Sequence, residues 1–194
     1  NILKTHQIDT AKKIILFPAR ITSWKGQLEF IDVIKKMDTQ NILVLFAGDT
    51  KNKSYTKLVR DKIEQNNLKR VCKILGSVNQ DEMRSLYQIA DLSVSFPLRA
   101  EGFGRTVSES LYSKTPVLAF EYGGVKNQLA NLSDMFKVKP QDYQALPAKI
   151  EQLLGLSEVE KKEALEGVQS VIESNFSKIN MVKQYLKLYE SFKS

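Results

Sequence analysis

Short, almost purely apolar runs alternate along these 194 residues with stretches whose apolar positions recur every three or four residues. The runs at 13–18, 41–47, 71–75, 92–96 and 117–120 are rich in Val, Ile, Leu and Phe, as befits strands buried on both faces. Between them, 25–37 sets Leu28, Ile31, Val33 and Ile34 at helical spacing, and 55–65 reads as a helix with Ser54 as its N-cap. Asn79 or Asp81 caps a further helix running to about Ala90. Pro97 turns the chain out of the fourth strand, and Thr115-Pro116 stops the helix that precedes the fifth. A last short strand is expected at 135–138. From Asp142 onward only helical patterns remain, with breaks near 155–157 and 174–177.

Strand–helix alternation of this kind predicts an α/β fold: a Rossmann-like parallel sheet of about six strands with helices on both faces, plus C-terminal helices. Crossovers between parallel strands are right-handed, and ligands bind outside the carboxyl ends of the strands. The loops 19–26, 48–53, 76–79, 97–104 and 121–124 are all expected at that edge, and they hold most of the chain's distinctive residues.

The most informative is Glu101-Gly-Phe-Gly-Arg-Thr-Val-Ser-Glu109. A glycine turn running into a helix lets backbone N–H groups approach an anion at the positive end of the helix dipole. Glu101 before the turn and Glu109 after it can accept hydrogen bonds from hydroxyls on either side. Phosphate in the middle with hydroxylated groups on both flanks describes a sugar nucleotide. The same residues also read more plainly, as an Arg105–Glu109 surface pair at i,i+4 with Glu101 solvated. The loop after the first strand adds Arg20 and Lys25, a guanidinium fork and a mobile ammonium suited to a diphosphate. Cations held against a departing diphosphate stabilise the transition state more than the ground state. They also stand in for Mg²⁺, and the chain has no Asp-x-Asp pair to hold one; neither metal nor cofactor is expected.

The net charge of +7 raises a nucleic-acid reading, but the lysines are scattered, no zinc-ligand spacing occurs, and no glycine–aromatic RNA-binding signature appears. No nucleic-acid partner is expected. A basic surface equally suits an anionic phosphate ligand or anionic lipid headgroups. No apolar run approaches the roughly 20 residues of a membrane span, and the leading residues lack the apolar core of a signal peptide. The single cysteine, Cys72, falls in a strand and is expected to be a buried thiol. His6, the only histidine, lies in the leading tail with nothing nearby in sequence to orient it.

In order and spacing, these pieces resemble the C-terminal half of retaining family 4 glycosyltransferases of the GT-B fold. The matching motifs are Ala19-Arg20 with Lys25-Gly26, Gly76-Ser77-Val78, Tyr87-Gln-Ile-Ala-Asp91, the Glu101-x7-Glu109 segment, Pro116-Val117 and Gly123-Gly124. The resemblance implies that Arg20 and Lys25 hold the donor diphosphate and that Glu101 binds sugar hydroxyls near the reacting carbon. It gives sugar and phosphate oxygens to the turn Gly102, Phe103, Gly104 and Arg105, ribose hydroxyls to Glu109, and the base to Val78. Ala19 replaces the usual glycine. Arg105 stands where an apolar residue is common, and with Trp24-Lys-Gly-Gln27 it resembles the bacterial lipopolysaccharide-core subgroup, which often uses mannose donors. The implied donor is a nucleotide-diphosphate sugar, GDP-mannose or a UDP-sugar, and the implied acceptor a saccharide or glycolipid bound by an N-terminal domain. The expected site of action is cytoplasmic, with peripheral contact at the inner face of the membrane.

The chain accordingly divides into 1–12, a leading segment or inter-domain linker; 13–174, the nucleotide-sugar-binding domain; and 175–194, a C-terminal helix expected to pack on the N-terminal half. Its Met181, Val182, Tyr185, Leu186, Leu188 and Tyr189 are then partly exposed in this chain alone. A non-catalytic nucleotide-sugar-binding module and a GT-B sugar epimerase are the rival readings, with a basic nucleic-acid-binding domain a remote third. A glycosidase would instead need two carboxylates flanking the scissile bond, and here a phosphate-binding turn separates them.

Overall fold

Alternate residues of the first two strands bury on opposite sides of one sheet. In the computed structural model, which describes residues 2–192, Ile15, Phe17, Val44 and Phe46 join one apolar cluster, while Ile14, Leu16, Leu43 and Leu45 join another. Burial on both faces explains why these strands read as continuous apolar runs rather than as an alternating pattern. The strands are β1 (Lys13–Pro18), β2 (Ile42–Ala47), β3 (Cys72–Gly76), β4 (Leu92–Ser95), β5 (Val117–Phe120) and β6 (Lys137–Val138). Among the described residues they form one sheet, parallel throughout, in the order β3-β2-β1-β4-β5-β6.

That order reverses between β1 and β4. The chain steps outward from β1 to β3, returns to β1's other side at β4, and steps outward again to β6. The loops leaving the carboxyl ends of β1 and β4 therefore diverge around one crevice, the place where open α/β sheets bind ligands.

The helices are α1 (Ile2–Thr5), α2 (Gln27–Ile34), α3 (Lys53–Gln65), α4 (Gln80–Ile89), α5 (Arg105–Tyr112), α6 (Gly124–Leu129), α7 (Leu146–Leu154), α8 (Glu158–Ala164), α9 (Val168–Phe176) and α10 (Lys178–Ser191). Several boundaries differ from expectation for local reasons. Helix α2 begins at Gln27 rather than Lys25, because Gly26 takes a left-handed conformation (φ 84°) that no helix interior accommodates. Asn52, not Ser54, caps α3, its Oδ1 accepting from Tyr55 N at 3.0 Å. Asn79 caps α4 in a reciprocal box with Glu82. The expected strand at 135–138 is a 3₁₀ turn, Asp134–Phe136, followed by the two-residue β6. The breaks before α8 and α10 fall where Ser157 and Ser177 act as caps, and an unexpected third break sits at Gly167 (φ 72°).

The leading segment packs onto the domain. Ile2 and Ile8 are buried with Leu86 and Tyr87 of α4, and Lys73 Nζ donates to His6 O at 3.0 Å. Asn1, and Lys193 and Ser194 of the expected C-terminal helix, lie outside the described residues. Cys72 is buried as expected, and burial pushes its thiol up to about 12. No helix of the described residues is long and apolar enough to cross a membrane.

The amino-terminal edge of the sheet is tied by Asp91. Its carboxylate accepts from Ile14 N at 2.9 Å and Lys13 Nζ at 3.0 Å, with Lys161 Nζ of α8 at 3.4 Å. Burial alone would raise its pKa, but these donors outweigh it and hold the group below the ordinary aspartate value. A carboxyl depressed on folding stabilises the fold above its unfolded pKa, and that contribution is lost as pH falls through the folded one. Asp91→Asn should therefore cost about 2 kcal/mol in urea unfolding at pH 7, with the gap to wild type closing as pH drops below about 4. An equal gap at both pH values would contradict this role.

Candidate active site at the sheet reversal

The loop after β1 is held by main-chain and carboxamide bonds before any ligand chemistry arises. Ala19 N donates to Ala47 O at 3.0 Å and Ile21 N to Asp49 O at 2.9 Å. Gln27, fully buried on α2, donates through Nε2 to Arg20 O at 2.9 Å, fixing the backbone that carries the guanidinium. Leu98 N donates to Trp24 O at 2.8 Å, joining this loop to the one after β4.

In the second loop, four consecutive carbonyls face the other glycine turn and the helix behind it. Glu101 O accepts from Gly124 N at 3.0 Å. Gly102 O packs so closely on Gly124 that a Cβ there would stand 2.2 Å away. Phe103 O accepts from Gln128 Nε2 of α6, which also reaches Gly104 O at 3.4 Å. In a trans peptide the C=O of one residue and the N–H of the next point in opposite directions, and no cis peptide occurs among the described residues. The N–H groups of Gly102, Phe103, Gly104 and Arg105 are thereby turned away from α6. Gly104 caps α5 in the left-handed region (φ 79°), a backbone geometry that makes anion-binding concavities. The first N–H groups of α5 have no acceptor within the helix.

Four of the expected site residues share one cleft, while Lys25, Glu101, Gly102, Phe103 and Gly104 are not among its lining residues. Arg20, Val78, Arg105 and Glu109 line one cleft of about 690 Å³, together with Thr106, Met83 and Tyr87. Lys25 and Glu101 form an ion pair at 2.5 Å, their side chains only 13% and 14% exposed. Lys25 Nζ also lies 4.2 Å from the centre of the Trp24 ring, and the Arg99 guanidinium lies 4.7 Å from that ring. Phe103 packs edge-on against Phe176 at the end of α9, ring centres 5.4 Å apart.

Glu109 forms the surface pair with Arg105 that its spacing anticipates, and it lines the cleft as well. Arg105 is paired with it at 3.3 Å, the ordinary i,i+4 contact, yet both residues face the cleft. Tyr87 OH donates to Glu109 Oε2 at 3.2 Å. Burial, then the Glu109 charge, raises the Tyr87 pKa far above that of a free phenol, so the hydroxyl remains a donor at any working pH.

Three contributors were not among the expected site residues: Gln27, Tyr87 and Gln128. For the two glutamines the signal was present as an inconsistency. Gln128 sits with Val125 and Leu129 at i, i+3, i+4 spacing on the buried face of α6, and Gln27 is buried in the first turn of α2. A carboxamide on a buried face implies main-chain partners.

With this geometry in place, comparison with known proteins is decisive at the family level. The family model described as "Glycosyl transferases group 1" matches residues 1–166. This chain belongs to that family. Among curated relatives, a trehalose synthase of Thermococcus litoralis is 29% identical over 201 residues, covering 98% of this chain and 48% of that protein. A D-inositol 3-phosphate glycosyltransferase of Corynebacterium urealyticum is 27% identical over 190 residues, covering 95% and 44%. The chain thus spans about half the length of the curated relatives it matches. A glycosyltransferase structure from Rickettsia africae superposes with a TM-score of 0.88 at 28% identity, over 97% of this chain and 50% of that one. Anabaena HepE, crystallised with UDP-glucose, shares the fold at a TM-score of 0.84 and 22% identity, over 98% and 52%. The sheet and its helices have the fold of one half of a GT-B glycosyltransferase.

The packing of the two family glycine turns on each other is open to a direct test. Gly124→Ala places a methyl group against Gly102 O and should cost about 2–3 kcal/mol in urea unfolding, the upper range for single substitutions. Gly76→Ala, at φ 79° but with open space around its Cβ, should cost only the left-handed strain of about 1–2 kcal/mol. A Gly124→Ala protein as stable as wild type would show that the turns do not pack as described.

Proposed function

We propose that this chain is the donor-binding half of a retaining hexosyltransferase, which moves a hexose from a nucleotide-diphosphate sugar to a saccharide or glycolipid acceptor. The observation that carries the reading is the row of four carbonyls held inward from Glu101 to Gly104, which sets four amides outward beside a cleft lined by Arg20 and Arg105. Membership of the glycosyl transferases group 1 family supports it.

In this reading Arg20 and Lys25 grip the diphosphate, with the amides of Phe103, Gly104 and Arg105 on the remaining oxygens. Glu109, braced by Tyr87, accepts from the ribose hydroxyls, and Val78 lies beside the base. Glu101 binds the sugar hydroxyls, and its ion pair with Lys25 keeps sugar and phosphate recognition in fixed register. The bond from the anomeric carbon to the β-phosphate oxygen breaks while the acceptor oxygen bonds to that carbon on the same face. The acceptor proton passes to the departing phosphate. Charge grows on the diphosphate as this happens, so pre-set donors there lower the barrier. Basic side chains fill the role a divalent cation would otherwise have.

Trp24 to Gln27 and Arg105 favour a lipopolysaccharide-type acceptor and a mannose donor. Calorimetry with UDP and GDP, and competition among GDP-mannose, UDP-glucose and UDP-N-acetylglucosamine, tests donor choice and the grip together. The expected results are tightest binding of GDP-mannose, no loss of affinity with EDTA, and a 10- to 100-fold loss for Arg20→Ala, the worth of one charge-assisted contact. Weakest binding of GDP-mannose would remove the mannose assignment, and full affinity in Arg20→Ala would remove the grip.

Helix α10 has no buried residue, and Ile179, Tyr185, Leu186, Tyr189 and Phe192 are exposed on it. We assign this surface to packing against the acceptor-binding half found in a complete GT-B enzyme, which acts at the cytoplasmic face of a membrane. The chain alone should then bind nucleotide without transferring sugar. Robust turnover by these 194 residues in a transferase assay would contradict the division of labour.

A further inference from the structure

We infer that Gln128 is the positioning residue of the donor turn, an inference that rests on the donor-site reading above. Its carboxamide is buried and engaged at both ends. Nε2 donates to Phe103 O and Gly104 O, and Oε1 accepts from Ser108 Oγ at 2.7 Å. The orientation is chemically forced, because two converging carbonyls need a donor and the serine hydroxyl can supply one to the amide oxygen. Ser108 lies on α5 itself, so one side chain from α6 joins the turn to the first turn of the helix it introduces.

The consequence for the ligand runs through peptide planarity. Phe103 O shares a peptide plane with Gly104 N–H, and Gly104 O with Arg105 N–H. Holding both oxygens toward α6 holds both N–H groups away from it. Gly104 O is shared with Val107 N at 3.0 Å, the first main-chain bond around the cap, and that bond alone leaves the preceding Phe103–Gly104 plane free to rotate. The left-handed Gly104 backbone and the lack of a side chain at Gly102 make this segment permissive. A buried donor is therefore what selects one rotation of the plane. Gln128 touches no donor atom in this scheme and acts only through the amides it aims.

A carboxamide is the only side chain of this length offering a donor and an acceptor from one planar end. Methionine fills similar volume without either, and glutamate would set a carboxylate against two carbonyl oxygens. The lost bonds are neutral ones, so the effect on binding should be moderate and confined to the part of the ligand the amides meet.

The test titrates UDP and GDP into the 194-residue chain by calorimetry, takes the tighter ligand forward, and uses its nucleoside as a control by NMR titration. Gln128→Met should weaken the diphosphate about 10-fold, the value of two neutral hydrogen bonds, while nucleoside affinity stays within about twofold. Ser108→Ala, which frees the carboxamide without removing it, should weaken the diphosphate a few-fold and serves on its own if Gln128→Met does not fold. Diphosphate affinity unchanged in the variant that folds, or diphosphate and nucleoside weakened equally, overturns the positioning role. Wild-type protein that binds neither diphosphate overturns the donor-site reading itself, an outcome distinct from the first two.

Discussion

The planarity of the peptide bond is the constraint on which the rest of this site depends. Four carbonyls from Glu101 to Gly104 cannot face the second glycine turn and α6 without sending the following four N–H groups the other way. Everything behind the turn serves that arrangement. Gly124 lacks the Cβ that would push Gly102 O aside, Gln128 supplies the donor that the Phe103 and Gly104 carbonyls require, and β5 carries both into place beside β4. The site is thus a property of two packed turns rather than of any single helix end.

The electrostatics are layered on this frame. Among the described residues Arg20 makes no ion pair, while Lys25 is locked to Glu101 and half-stacked on Trp24. Arg105 is held loosely by Glu109 at the surface, a contact of small worth. The cations of the two loops thus differ in availability, with Arg20 and Arg105 in the cleft and Lys25 held in its ion pair. The two motif carboxylates are committed: Glu101 to Lys25 and Glu109 to Tyr87 and Arg105. Preorganisation of this kind places cost on folding rather than on binding.

Much of this was legible in the sequence, and the reasons differ by residue. Strands β2 and β5 announced themselves because burial on both faces leaves no polar position to confuse the period. The turn at Glu101 was readable because glycine, carboxylate and helix start each impose a separate local requirement. Helix α2 was extended too far because Lys25 and Gly26 fit its periodicity, and only backbone dihedrals show the left-handed break. Asn52 was passed over as the cap of α3 because Ser54 is an equally good cap by type. Gln128 was legible as a carboxamide on a buried helical face, but its partners were not. Its partners are carbonyls some 25 residues away in sequence, and main-chain acceptors leave no trace in side-chain identity. Tyr87 was noticed only as part of a family motif, and its grip on Glu109 emerges from the packing of α4 beside α5.

The central claim is that the turn presents its amides to a diphosphate. Amide proton–nitrogen correlation spectra of the 194-residue chain, titrated with the nucleoside diphosphate it binds more tightly, address it most directly. The account predicts that Phe103, Gly104 and Arg105 show large saturable shifts, together with residues lining the cleft such as Arg20. Saturable binding that moves cleft residues elsewhere while these three amides keep their positions would contradict it.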